Sequence, residues 1–277
     1  MVTLFAVLSA LSYGIADFTG GVASRRSPVS AVVAWSQAVG IAVALAAVPL
    51  LGGTKLTAES WLWGAVAGLC GAAGLSSLYR GLATGLASVV SPTAAVAGAA
   101  LPVLVGVLIG ERPELLTWIG IAVALPAIFL LSSEKGDHRG AVLASLRMGL
   151  VAGLGFGGFF VFLSRTPDDT GLWPLVAARS ASVPALILVT LARRKPIVLK
   201  KGSLLAALGA GAMDMAANVF YLIAARSGML ITAVVITALY PAPTVLLQRI
   251  VLKERLGPKR IAGLVLALAG IALIGIG

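Results

Sequence analysis

The chain has 277 residues, 59% of them hydrophobic and 11% charged, with a net charge of +11. Soluble domains run at about 45–50% apolar and about 25% charged, so an apolar surplus of this size has to face lipid. The basic residues sit in short loops between apolar runs, and with no basic face, aromatic stacking motif or nucleic-acid module beside them they argue against a nucleic-acid partner.

The single cysteine, Cys70, and single histidine, His138, leave no intramolecular disulfide, His/Cys metal cluster or His-dependent triad. No Walker sequence is present, so energy for any transport has to come from gradients. Neither a cofactor nor an enzymatic activity is expected. The remote catalytic option is a pairing of Asp17 with Asp214.

The apolar runs are continuous and about 17–25 residues long, which suits helices crossing a core about 30 Å thick rather than alternating barrel strands. In chain order the predicted spans are Val2–Gly21, Val29–Leu51, Trp61–Tyr79, Leu86–Ile109 and Leu115–Leu131. Then follow Leu143–Leu163, Leu172–Leu191, Ser203–Ala225, Met229–Leu252 and Ile261–Ile276. The first span lacks a basic leader and carries Asp17, so it does not read as a cleavable signal. Pro113 and Pro258 stand where helices begin, a position that tolerates a missing N–H.

The chain repeats. Glu111-Arg112 recurs 143 positions on as Glu254-Arg255, and the same offset carries Gly14 to Gly157, Gly68 to Gly211 and Gly120 to Gly263. With five spans per copy the second half runs inverted, an arrangement common among secondary transporters. The expected fold is therefore an all-α integral membrane protein of about ten helices, in two inverted five-helix repeats at 1–139 and 140–277. Connections after even-numbered spans hold only Lys55, Arg112, Arg165 and Arg226, while those after odd-numbered spans hold the other loop cations, among them Arg25, Arg26, Arg193, Arg194, Lys200 and Lys201. The positive-inside rule then puts both ends of the chain outside.

Three ionisable residues fall within spans, where each costs about 2.5–3.5 kcal/mol on insertion scales and marks a functional candidate. They are Asp17, Arg179 and Asp214. Gly211, Asp214, Asn218 and Tyr221 share one face of the eighth span, and Ser9, Tyr13 and Asp17 share one face of the first. A polar stripe of this kind faces a cavity or glues helices together. Two acids and one base leave one carboxylate without a fixed counter-ion, which makes Asp214 or Asp17 the candidate to take and release a coupling proton. Thr237, Tyr240, Thr244 and Gln248 recur on the ninth span, and Trp35, Gln37 and Tyr79 add further groups that can line a cavity. Interfacial anchoring is the competing reading for Trp35 and Tyr79. Pro92 and Pro102 in the fourth span and Pro241 and Pro243 in the ninth free backbone groups at equivalent places, as hinges of a rocking carrier or as static kinks. Glu111 and Glu254 read first as cap or surface ion-pair residues and second as gate elements.

Tyr79-Arg80-Gly81-Leu82-Ala83-Thr84-Gly85, Ser88, Pro92, Pro102, Gly110-Glu111-Arg112 and Gly120 resemble the EamA-like repeat of the drug/metabolite transporter superfamily. A second copy runs through Tyr221, Ala225, Gly228, Leu239-Tyr240-Pro241, Thr244, Glu254-Arg255, Gly263 and Gly270, and Tyr13-Gly14 is similar to that family's Trp-Gly opening. Asp17, eight residues before Arg25, looks like the first-helix acid of the small multidrug resistance branch, which exchanges protons for cations; the competing reading is an ion pair with Arg25 or Arg26 near the end of the span. The resemblance implies a central cavity between the halves and export or exchange of amino acids, metabolites or drugs. It also implies cytoplasmic termini, against the loop charges, and an Arg in the second helix where this chain has Trp35-Ser36-Gln37.

The expected function is secondary active transport of a small metabolite, amino acid or organic cation across a bacterial-type plasma or inner membrane, as an exporter with proton coupling. A passive facilitator or channel of the same fold is the alternative. The expected partners are the substrate and the bilayer, in a monomer or a homodimer. Arg179 facing the cavity favours an anionic or zwitterionic substrate; Arg179 buried in a pair leaves a free acid and favours a cation.

Overall fold

Continuous apolar length decides where the helices run. A computed structural model describes residues 1–50, 55–84, 87–132, 142–194, 196–253 and 256–276, and among these the regular elements are all helical. They are α1 (Val2–Ser24), α2 (Val29–Ala47), α3 (Ala58–Thr84), α4 (Ala87–Leu108), α5 (Leu115–Ser132), α6 (Val142–Ser164), α7 (Trp173–Ala192), α8 (Leu204–Ser227), α9 (Leu230–Thr237), α10 (Pro241–Val251) and α11 (Pro258–Ile276). Eight stretches have the length and apolar character to span a bilayer, with Leu230–Val251 taken as one, and two shorter apolar helices bring the spans to the ten expected. Leu104, Leu188 and Leu268 stand well exposed on the outside of the bundle, as lipid-facing side chains must.

The predicted ninth span is the one that differs. It breaks at Ala238-Leu239-Tyr240, which separates α9 from α10. A continuous helix would need an N–H from residue 241 for the Thr237 carbonyl and one from residue 243 for the Leu239 carbonyl, and both positions are proline. The carbonyls are satisfied by tighter bonds instead: Tyr240 N–H donates to Thr237 at 3.1 Å and Ala242 N–H to Leu239 at 2.9 Å. In α4, by contrast, the helix runs unbroken past Pro102, which is buried. The prolines at equivalent places thus coincide with a break in one helix and, at Pro102, with a continuous run in the other; the Pro92 side chain lies outside what is described.

α1 packs along α8, α3 against α6 and α7, α4 against α6, and α5 against α11, while α2 lies between α7 and α8. Glycine permits the closest approaches. A Cβ on Gly68 would sit 2.1 Å from the Ala178 carbonyl oxygen, and one on Gly211 would sit 2.2 Å from that of Ser36.

Sidedness is fixed by contacts between connections. Ser27 in the α1–α2 turn accepts the Lys200 N–H at 2.8 Å, and Ser30 donates to the Pro196 carbonyl at 3.1 Å, so the α1–α2 and α7–α8 connections share one end. At the other end Gly228 meets Val2 and Gly275 meets Thr3. Both ends of the bundle's helical path therefore lie opposite the basic turns, as an even number of spans requires. Glu254-Arg255 falls outside the described residues.

Candidate functional site

Four helices bring the embedded polar residues together. From α7, the buried Arg179 donates to the Gln37 carboxamide of α2 and to Asp214 Oδ2 of α8. Gly40, one turn after Gln37, leaves room for the guanidinium: a Cβ there would lie 3.4 Å from Arg179 Nε. Asn218, one turn along α8 from Asp214, donates to the Asp214 carbonyl at 2.6 Å and to its Oδ2 at 3.4 Å. Tyr13 of α1 donates to Asn218 Oδ1 at 3.0 Å. The result is one chain of bonds, Gln37–Arg179–Asp214–Asn218–Tyr13, across α2, α7, α8 and α1.

Aromatic rings close this chain on the side of the helical ends. Tyr13 stands 6.1 Å from Tyr240 and 6.4 Å from Phe160, and Phe160 stands 4.5 Å from Tyr221 between ring centroids. Tyr221 is fully buried, and its hydroxyl donates to the Phe160 carbonyl at 2.9 Å. Every residue of α9 is buried as well.

The other side is different. Asp17 sits one turn beyond Tyr13 on α1 and is exposed, lining a recess with Gly21, Arg25, Gln248 and Leu252 that lies between α1 and α10 at the end of the basic turns. Asp214 is partly exposed, with 31% of its side chain accessible against 11% for Arg179. Among the described residues no hydrogen bond or ion pair holds the Asp17 carboxylate. The carboxylates of Asp17 and Asp214 and the guanidinium of Arg179 sum to a formal charge of −1, and Arg25, which lines the recess beside Asp17, brings the sum to zero.

Of the residues singled out in the sequence, Tyr13, Gln37, Arg179, Asp214, Asn218 and Tyr240 are gathered here, and Asp17 borders the recess. Trp35 is not. It is 42% exposed on the outer face of α2, with Nε1 donating to the Ile197 carbonyl at 3.1 Å, so it anchors the α7–α8 connection instead of lining the cavity. Tyr79 lies on α3, and its side chain is outside the described set. Glu111 forms no surface ion pair among the described residues; its carboxylate accepts backbone N–H groups at the start of α9. Phe160 was not singled out in the sequence, although it continues the Gly149, Gly153 and Gly157 face of α6, where helical spacing marks close packing but not an aromatic ring at the site.

Comparison with known proteins agrees with this architecture. The model of the EamA-like transporter family matches residues 1–133 and again 143–276. A crystal structure matches with a TM-score of 0.79 at 17% identity, over 99% of this chain and 96% of the other, which establishes the fold. No curated protein matches.

Proposed function

The chain belongs to the EamA-like transporter family, a family of membrane transporters of the drug and metabolite type, and from this premise we propose that it is a secondary active carrier exporting a small organic cation, or a zwitterion bearing an ammonium group, in exchange for protons. One observation carries the reading. Arg179 is taken up by Asp214 and Gln37, whereas Asp17 lines the recess together with Arg25 and accepts no hydrogen bond among the described residues. A carboxylate at that depth is costly unless something cationic sits on it. A proton and a cationic substrate would compete for this one group, which ties the binding of one to the release of the other. In a bacterial-type plasma or inner membrane the recess, on the side of the basic turns, would load from the cytoplasm.

Alternating access needs two units that rock, and we infer that these are inverted repeats at 1–139 and 140–277. The packing supports this. Gly120 abuts Ile274 while Gly263 abuts Leu131; Gly14 abuts Tyr240 and Pro243 while Gly157 abuts Gly98 and Leu101; Gly68 abuts Ala178 while Gly211 abuts Ser36. The 143-residue offset carries each contact onto its counterpart to within one position. The α9–α10 break gives the second unit a discontinuous helix beside the site, a device by which carriers of this kind move.

Uptake into proteoliposomes tests the reading, with a panel of organic cations, amino acids and organic anions, with and without a pH gradient. Gradient-driven accumulation of cations, reduced at least about tenfold in Asp17→Asn, is the expected result. Equilibration indifferent to the gradient would make the protein a facilitator. Flux of anions alone would overturn the cation assignment and hand recognition to Arg179.

A further inference from the structure

The turn after α4 aims a carboxylate at the other half of the molecule. Gly110, at φ +99°, ends α4; its N–H bonds the Val107 carbonyl at 3.1 Å and the next N–H, that of Glu111, reaches back to Gly106 at 2.9 Å. This pair of bonds is the Schellman arrangement, in which a left-handed glycine closes a helix and reverses the chain. The Glu111 side chain is thereby directed onto the first turn of α9. Its two oxygens accept the N–H groups of Leu230 at 2.5 Å and Ile231 at 2.9 Å. Those donors have no partner within α9 itself, and the helix dipole there favours an anion. Gly106 makes the approach possible: a Cβ at that position would fall 2.4 Å from Ile231 Cγ1 and 2.7 Å from Glu111 Oε2. Arg112 turns away, with its guanidinium on the Val107 and Glu111 carbonyls.

We propose that Glu111 is the latch of the outer gate, holding α9 across the path between the site and the face opposite the basic turns, and that alternating access requires its release. α9 suits the part of gate. It is short, wholly buried, attached through Met229 at one end and through the 238–240 break at the other, and it carries Tyr240 onto the site. The contact bridges the first half to the second, so it must break when the halves rock. Loss of the two bonds removes an anchor from this side alone and shifts the population toward the outward-open state. The inference rests on the alternating-access reading.

The test is sided accessibility. In a Cys70→Ala background, Thr232→Cys places a near-isosteric thiol on α9, where Thr232 is 4% exposed. Ala124→Cys, at a fully buried position of α5 facing α11, reports general loosening. A membrane-impermeant maleimide is applied from the outer face of intact cells. With Glu111 present, both thiols should be protected. In Glu111→Gln and Glu111→Ala the thiol at 232 should react about tenfold faster from outside, with no change at 124 and none from the inner face. A rate at 232 unchanged from both faces of the membrane overturns the latch, and so does a parallel rise at 124. The readout needs no substrate, so failure of the flux assay would sink the proposed function while leaving this result standing, and the reverse holds as well.

Discussion

A guanidinium inside a span is tolerated only when its donors are filled. Arg179 fills them with Asp214 and Gln37 rather than with lipid-exposed groups. Removing one member of such a pair strands the other, which costs about 3–5 kcal/mol when both are fully buried and less here because Asp214 is partly accessible. Arg179→Gln and Asp214→Asn are each expected to lower the thermal unfolding midpoint in detergent, by an amount corresponding to about 1–3 kcal/mol. Combining them should cost less than the sum of the singles, since the double variant leaves no stranded charge. Strict additivity would mean that the two side chains stabilise the protein independently. The same scale explains what the sequence could give about the site. Charge in an apolar span made Asp17, Arg179 and Asp214 conspicuous, and helical spacing added Tyr13 and Asn218. It could not separate Gln37 from Trp35. The two lie on nearly opposite faces of α2, and a helix apolar all round carries no signal of which face looks inward.

At the scale of the element, span lengths were legible because lipid imposes them on composition. The α9–α10 break was legible only as two prolines, since proline in a span gives either a kink or a full break depending on what neighbours offer the freed carbonyls. Pro102 and Pro241 illustrate the two outcomes: α4 stays continuous at the first, and the chain turns at the second. The partner of Glu111 was not legible at all, because capping across 119 residues depends on how the halves pack. Restoring donors at the break tests its purpose. Pro241→Ala with Pro243→Ala supplies the missing N–H groups and permits a continuous helix. The double variant is expected to unfold at a higher temperature and to turn over several-fold more slowly, with substrate affinity little changed. Faster turnover, or turnover unchanged in a more stable protein, would remove the break from the transport cycle.

For the whole molecule, the side on which the recess lies decides whether this conformation loads or releases substrate. Contacts between connections place the α1–α2 and α7–α8 turns at one end and residues 1–3 and 275–276 at the other. Arg25, Arg26, Arg193, Arg194, Lys200 and Lys201 all belong to the first of these ends. Translocating so many cations is opposed during insertion, so that end is expected to stay in the cytoplasm, with both ends of the helical path outside. The family resemblance suggests the opposite, and the two are separable by experiment. In the Cys70→Ala background, Thr3→Cys should react with an impermeant maleimide on intact cells, and Lys201→Cys only after the membrane is opened. The reverse pattern would turn the recess outward. Asp17 would then meet substrate from outside, Glu111 would latch an inner gate, and the same bonds would describe an importer in its loading state.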